Sequence, residues 1–320
     1  MATPPTLEDI RSARERISGI ALRTPLIPLN RENAPADIYL KMENLQAIGS
    51  FKIRPAANAI LSVPTEELQN GVYTASSGNM AQGVAYTARR LGIPATVLLP
   101  DTAPEVKVAA LEHLGADIKK ISFNEWWRVI LDHGHPDEQG HFIHPVADPR
   151  VLAGDGTIGL EILEDLPDVN TVLAPYGGGG LSCSIAAALR AAGSAARVLA
   201  AESEHAAPFL ASLEAGKPVD IPYPKSFVSG IGNGSVLEEM WPLASELLQG
   251  SVVAGLDEIA DAIRLMFERH RVIAEGAGAA PVAAALAGRA GCGKIVCVIS
   301  GGNLGVEHLQ EILEGKTPRA

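Results

Sequence analysis

Between residues 72 and 121 the chain repeats one unit: a short apolar stretch, about three turns of helical periodicity, then a glycine. The stretches at 72–75, 95–99 and 117–121 read as strands, and the segments at 80–91 and 105–114 read as helices closed by Gly92 and Gly115. A glycine directly after a helix is the stop signal of helix-to-strand loops. The apolar strands lack polar alternation, as strands covered on both faces should. The pattern therefore predicts a parallel α/β sheet.

The rest of the chain keeps this grammar with two interruptions. A first helix is predicted from Thr6 to about Ser18, with Thr6 as its cap and Asp9 three residues on, and a strand at 38–41. The stretch 124–144 breaks the rhythm; it is rich in His, Asp, Glu and Gly and holds the pair Trp126-Trp127, and a domain junction is expected near its end. The alternation resumes with a helix at 156–166, a strand at 171–175, a helix at 181–192 and a strand at 197–201. A looser region at 204–250 contains Gly230-Ile231-Gly232-Asn233-Gly234. Helices at 257–270 and 277–287, a strand at 294–299 and a last helix from about 304 complete the chain. With 320 residues, 47% of them hydrophobic, two α/β lobes flanking a cleft are the simplest architecture.

Charge narrows the partners. A formal net charge of −11, with no basic run, excludes nucleic acid and anionic membrane as general partners, so an anionic ligand must be held locally. No apolar run is long enough to span a bilayer and Met1-Ala2-Thr3-Pro4-Pro5 lacks a leader's features, which sets the expectation of a cytoplasmic protein. Cys183, Cys292 and Cys297 form no C-x-x-C pair and indicate neither a disulfide framework nor a zinc site.

Two stretches carry chemistry. Gly177-Gly178-Gly179-Gly180-Leu181 lies between a strand and an alanine-rich helix, where successive backbone N–H groups and the helix dipole can cradle an anion; a tight strand-to-helix turn is the plainer reading. The run fits neither the dinucleotide fingerprint nor a P-loop, which leaves a small phosphorylated cofactor. Lys52 opens a helix between Phe51 and Ile53, whose bulk would desolvate the ammonium and make it a usable nucleophile or base; a lysine snorkelling from a helix start is the alternative.

Ser50-Phe51-Lys52-Ile53-Arg54, Ser76-Ser77-Gly78-Asn79, Gly177-Gly178-Gly179-Gly180-Leu181 and Ser300-Gly301-Gly302-Asn303, in this order, resemble the pyridoxal-phosphate enzymes of fold type II, and most closely the threonine/serine dehydratases and serine racemase. The resemblance covers nearly the whole chain. It implies a two-lobed, tryptophan synthase β-like fold with the cofactor in the cleft, divided into a discontinuous large domain (1–64 and 148–320) and a small mobile one (65–147), and a homodimer. It further implies pyridoxal 5'-phosphate in a Schiff base with Lys52 beside Phe51. Gly177, Gly178, Gly179, Gly180 and Leu181 would hold the phosphate, Asn79 the ring 3′ oxygen and Ser300 the pyridine nitrogen, with Gly230 and Glu275 near the ring. Ser76, Ser77, Gly78, Asn79 and Met80 would grip the carboxylate of an amino-acid substrate. A serine opposite the pyridine nitrogen does not hold a proton there, which favours β-elimination, with Lys52 as general base. The implied activity is dehydration and deamination of a β-hydroxy-α-amino acid such as threonine or serine to a 2-oxo acid and ammonia.

Some assignments stay open at this level. Ser77 is either a carboxylate donor or, as in serine racemase, a second acid/base, so racemisation is a rival activity; a β-replacement synthase and a non-catalytic protein that keeps the cofactor fold are others. Glu275 is a cofactor neighbour or simply an acidic residue favoured at a helix start. Met80 stands where relatives usually carry histidine, and together with Trp126 and Trp127 it raises the expectation of a pocket for a bulkier, phenylserine-type substrate. Glu202 matches the glutamate of the divalent-cation site in serine racemase, yet Pro208 occupies the position of the next carboxylate, so no metal is expected.

Overall fold

A computed structural model describes residues 1–103 and 105–319. In chain order its elements are α1 (Leu7–Arg16), β1 (Leu26–Pro28), β2 (Asp37–Lys41), α2 (Ile53–Leu61), β3 (Val72–Ala75), α3 (Asn79–Leu91), β4 (Ala95–Pro100), α4 (Glu105–His113), β5 (Asp117–Ile121), α5 (Phe123–Leu131) and β6 (His141–Phe142). They continue with α6 (Pro149–Asp165), β7 (Thr171–Pro175), α7 (Gly180–Ala191), β8 (Arg197–Ser203), α8 (Pro208–Ala215), α9 (Trp241–Leu247), β9 (Ser251–Ala254), α10 (Leu256–His270), α11 (Gly276–Leu286), β10 (Lys294–Val298) and α12 (Val306–Leu313).

The strands form two sheets. One has the order β1-β2-β10-β7-β8-β9, with only the edge strand β1 antiparallel; the other has the order β5-β4-β3-β6 and is wholly parallel. Alternate side chains of each strand serve opposite faces. In the six-stranded sheet Leu173, Leu199, Ile295 and Cys297 pack with α10 and α11, while Val172, Ala174, Val198 and Val296 pack with α6, α7 and α9. In the four-stranded sheet Val72, Val97 and Leu99 face α3, while Tyr73, Ala75 and Leu98 face α5. Both faces are covered, which is why these strands are apolar throughout. Among the described residues no helix is long and apolar enough to cross a membrane.

The predicted first cap is present in full: the Thr6 hydroxyl accepts from Asp9 N and the Asp9 carboxylate accepts from Thr6 N at 2.9 Å. The irregular stretches hold more structure than their composition suggested. The stretch 124–144 contains most of α5 and all of β6, and 204–250 contains α8 and α9. Helix α6 starts seven residues before the expected 156, capped by Asp148 with Pro149 in its first turn. Gly154, Gly156 and Gly159 lie within this helix. They are glycines because other elements press on them: a Cβ would come 2.7 Å from Pro55 Cα at Gly154, 2.9 Å from Ile10 Cδ1 at Gly156 and 2.8 Å from Ala188 Cβ at Gly159.

Candidate active site

Helix α2 lies between α3 and α6 and is buried from Ile53 to Ile60. Lys52 is its N-cap residue, reached through a turn at Gly49 whose φ of +69° suits glycine; a Cβ there would also stand 2.7 Å from Asn303 Oδ1. Phe51 N donates to Ser300 O at 2.9 Å, and Ser50 bridges to Gly301, so the lysine turn is tied to the carboxyl end of β10. The half-buried Lys52 side chain donates from Nζ to Pro145 O at 2.8 Å, with the ammonium 5.1 Å from the centre of the Phe51 ring. Burial lowers its pKa, against the opposing attraction of Asp155. The desolvation expected from its neighbours is thus met, and a freely snorkelling lysine is not what the chain forms.

A buried ionic lattice fixes α2 from behind. Arg54 makes a bidentate pair with Glu43, Nε and Nη2 each at 2.8 Å, and reaches Glu161 on α6 from Nη1 at 2.7 Å and Nη2 at 2.9 Å; Lys41 of β2 also pairs with Glu161. Despite burial, the guanidinium holds Glu43 below the usual carboxylate range. Sequence reasoning passed over this lattice, although charges inside the apolar segments around Lys41 and Glu161 were a usable signal.

The glycine run follows β7. A Cβ at Gly177 would stand 2.6 Å from Gly230 O and one at Gly178 would stand 2.7 Å from Val146 Cγ2, while Gly179 has φ +89°. Among the described residues, none of the N–H groups from Gly177 to Ser182 donates to a backbone carbonyl or a side chain, and α7 begins at Gly180. Six uncommitted donors at a helix N-terminus, with side chains excluded from the approach, fit a phosphate group. Leu181 is buried among the apolar side chains beneath the loop.

The remaining predicted residues converge here too. Asn79, the first residue of α3, donates from Nδ2 to Glu275 Oε1 at 2.8 Å and accepts at Oδ1 from Asn303 Nδ2 at 2.8 Å. Glu275 is the N-cap residue of α11, and its Oε1 would lie 3.9 Å from a Cβ at Gly230 and 2.3 Å from one at Gly301. Ser300 is buried next to that glycine. Ser76, Ser77 and Gly78 form the half-buried turn from β3 into α3, and Ser76 Oγ accepts from Gly78 N. The turn after β3, the glycine run after β7 and Ser300 after β10 all sit at carboxyl ends of parallel strands, where open α/β sheets bind ligands.

Two expectations are corrected by the packing. Met80 is only 2% exposed, with its side chain among Ala56, Ile60, Val84 and Val151, so its thioether belongs to the core. Trp126 packs on the opposite face of the four-stranded sheet with Tyr73 and Leu98, and Trp127 points partly to solvent; Met80 and the tryptophans cannot wall one pocket. The Glu202 carboxylate is committed elsewhere, accepting from Phe209 N at 2.8 Å, Leu210 N at 2.9 Å and Ser251 Oγ at 2.6 Å, as an acceptor for the start of α8.

His133, His144 and Glu239 do cluster with metal-like spacing. His144 Nδ1, however, accepts from Val146 N at 3.0 Å and Ala147 N at 2.7 Å, which leaves the ring proton on Nε2, facing Ile130 O. That tautomer offers a metal no lone pair. Burial lowers the His144 pKa to about 4, which keeps the ring neutral. Its role is to shape the turn that aims Pro145 O at Lys52. Sequence reasoning also missed Asp155, on α6 near Lys52, which is fully buried with neither carboxyl oxygen hydrogen-bonded.

The model of the family described as pyridoxal-phosphate dependent enzyme matches residues 17–301. The chain is 41% identical over 312 residues to an L-threonine ammonia-lyase of Geobacter sulfurreducens, covering 95% of this chain and 77% of the relative. Among solved structures it is similar to maize serine racemase, with TM-score 0.89, 31% identity and coverage of 98% of each chain. It is also similar to the processed form of threonine deaminase isoform 2 from Solanum lycopersicum, with TM-score 0.87, 31% identity and coverage of 98% of this chain and 90% of that one.

Proposed function

Because the chain belongs to the family of pyridoxal-phosphate dependent enzymes, we propose that it is an ammonia-lyase acting on L-threonine and L-serine, with the cofactor tethered to Lys52. The observation that carries this reading is a desolvated lysine amine, a run of uncommitted N–H donors and the Asn79–Glu275 pair beside Gly301, all near carboxyl ends of parallel strands. Gly177 to Gly180 would hold the phosphate, Phe51 and Gly230 the flanks of the ring, Asn79 its 3′ oxygen and Ser300 its nitrogen. When bound, pyridoxal phosphate supplies an electron sink that acidifies the α-hydrogen of an attached amino acid.

The chain's own residues do the rest. The N–H groups and hydroxyls of Ser76, Ser77, Gly78 and Asn79 at the start of α3 offer a substrate carboxylate donors and a favourable dipole, with Met80 contributing only backbone. Lys52, held neutral more readily than a surface lysine, takes the α-proton as general base. The β-hydroxyl leaves with a proton as water, and water later re-enters to release ammonia, so threonine yields 2-oxobutanoate and ammonium in net balance. The relatives' printed activities support threonine, and burial of Met80 removes the argument for an aryl pocket.

The test is 2-oxo acid formation from L-threonine, L-serine, phenylserine and hydroxyaspartate. We expect threonine to give the highest kcat/KM and phenylserine little product; dominance of either larger substrate would overturn the assignment. A racemase is the second reading, favoured by the similarity to maize serine racemase and by a Ser77 hydroxyl that has no hydrogen-bond partner among the described residues. D-serine accumulating faster than pyruvate from L-serine would establish it.

A further inference from the structure

Among the described residues Asp155 is the one buried carboxylate with both oxygens lacking a hydrogen-bond partner. Buried carboxyls are normally paired, because an unpaired one forfeits its hydration for nothing. Asp155 lies in the first half of α6, against α2 and α7. Its Oδ2 is 3.4 Å from the point where a Cβ on Gly180 would stand, at the first residue of α7 and the end of the glycine run. The neighbouring cation does not satisfy it, since Lys52 Nζ donates to Pro145 O.

We propose that Asp155 is part of the anion cup: it is carried as the neutral acid and its O–H donates to a phosphate oxygen seated on the N–H groups of Gly177 to Gly180, so that the cup binds a proton together with the phosphate. The proposal rests on the reading of that loop as the phosphate site. It involves a hydrogen bond only, and no covalent bond is made or broken. An ionised carboxylate at this place would repel a phosphate dianion across a low-dielectric gap, whereas the neutral acid supplies a donor that the backbone cannot.

The charged groups acting on Asp155 are Lys52 and Arg54 at the start of α2 and Glu43 before it; on its own helix Glu161 is engaged with Arg54 and Lys41, and Cys183 is the buried ionisable group of α7. Arg14 of α1 is engaged with Glu164 at the far end of α6. Burial is the largest influence and Glu43 adds to it; with Lys52 and Arg54 opposing, the Asp155 pKa is pushed up to about 7. A bound dianion pushes in the same direction as Glu43, so cup occupancy and protonation are linked.

The experiment is calorimetric titration of the full-length chain with pyridoxal phosphate near pH 8 in buffers of differing ionisation enthalpy, and with inorganic phosphate as a second probe that cannot react with Lys52. Wild type should take up about one proton more per phosphate bound than Asp155→Asn, and its affinity should fall by up to about tenfold per pH unit in alkaline solution while that of the variant stays flat. In the holoenzyme the phosphorus-31 resonance should titrate with a midpoint above that of free Asp155, a measurement that needs no variant. Equal proton uptake by the two proteins, or a phosphorus resonance indifferent to pH, would overturn the role of Asp155 and leave the cup standing. If wild type binds neither probe, or if Gly177→Ala binds both as wild type does, the cup reading itself fails, and the proposal with it.

Discussion

At the scale of single residues, what a side chain touches decides its role more than its identity does. Lys52 is one lysine of several, set apart by burial, by a carbonyl acceptor and by the ring of Phe51. Lys52→Ala should lower ammonia-lyase turnover by at least about a thousandfold with the fold retained by circular dichroism, and borohydride reduction of the wild-type holoenzyme should label Lys52 in a peptide map. A label on another lysine would refute the assignment. Met80 makes the complementary case. With its thioether in the apolar cluster beneath α3, Met80→His should cost about 2 kcal/mol or more in denaturant unfolding and leave the ratio of threonine to serine kcat/KM unchanged. A changed ratio at unchanged stability would return Met80 to the pocket wall.

Among the elements, α2 and the loop after β7 depend on contacts that none of their neighbours in sequence reveals. Arg54→Met leaves the buried Glu43 without its ion-pair partner and Glu161 with Lys41 alone; the expected loss is about 3–5 kcal/mol of stability, with much of it recovered when Glu43 is also made apolar. Urea titrations of the single and double variants would check this, and full stability in the single variant would mean the lattice contributes nothing. In the glycine loop, Gly177→Ala sets a methyl against Gly230 O, a backbone atom with little room to move. Pyridoxal-phosphate affinity should drop by about tenfold or more while Tm changes by only a few degrees. The opposite pattern, a large loss of Tm with affinity kept, would mark the run as a packing turn only.

For the molecule as a whole, the buried acid at the cup links stability to pH. The folded chain holds the Asp155 proton more tightly than the unfolded chain, whose carboxyl has its ordinary pKa near 3.8. Stability contributed by this group is therefore complete below that value and is lost as pH rises towards about 7. Asp155→Asn should match wild type in Tm near pH 4 and exceed it near pH 8, and a constant difference across the range would exclude Asp155 as its source. The same molecule shows how far a sequence alone can be read. The parallel α/β class and the Thr6 cap were legible, because strand burial and helix caps are local patterns, and Lys52, Asn79, Gly177 to Gly180, Glu275 and Ser300 could be picked out as candidates because the motifs that hold them carry their own spacing. The glycines of α6, the lattice around Arg54, the inward turn of Met80 and the unpaired carboxyl of Asp155 were not legible. Each depends on which helix presses on which, through contacts between residues tens to more than a hundred positions apart, and only the tertiary structure decides those.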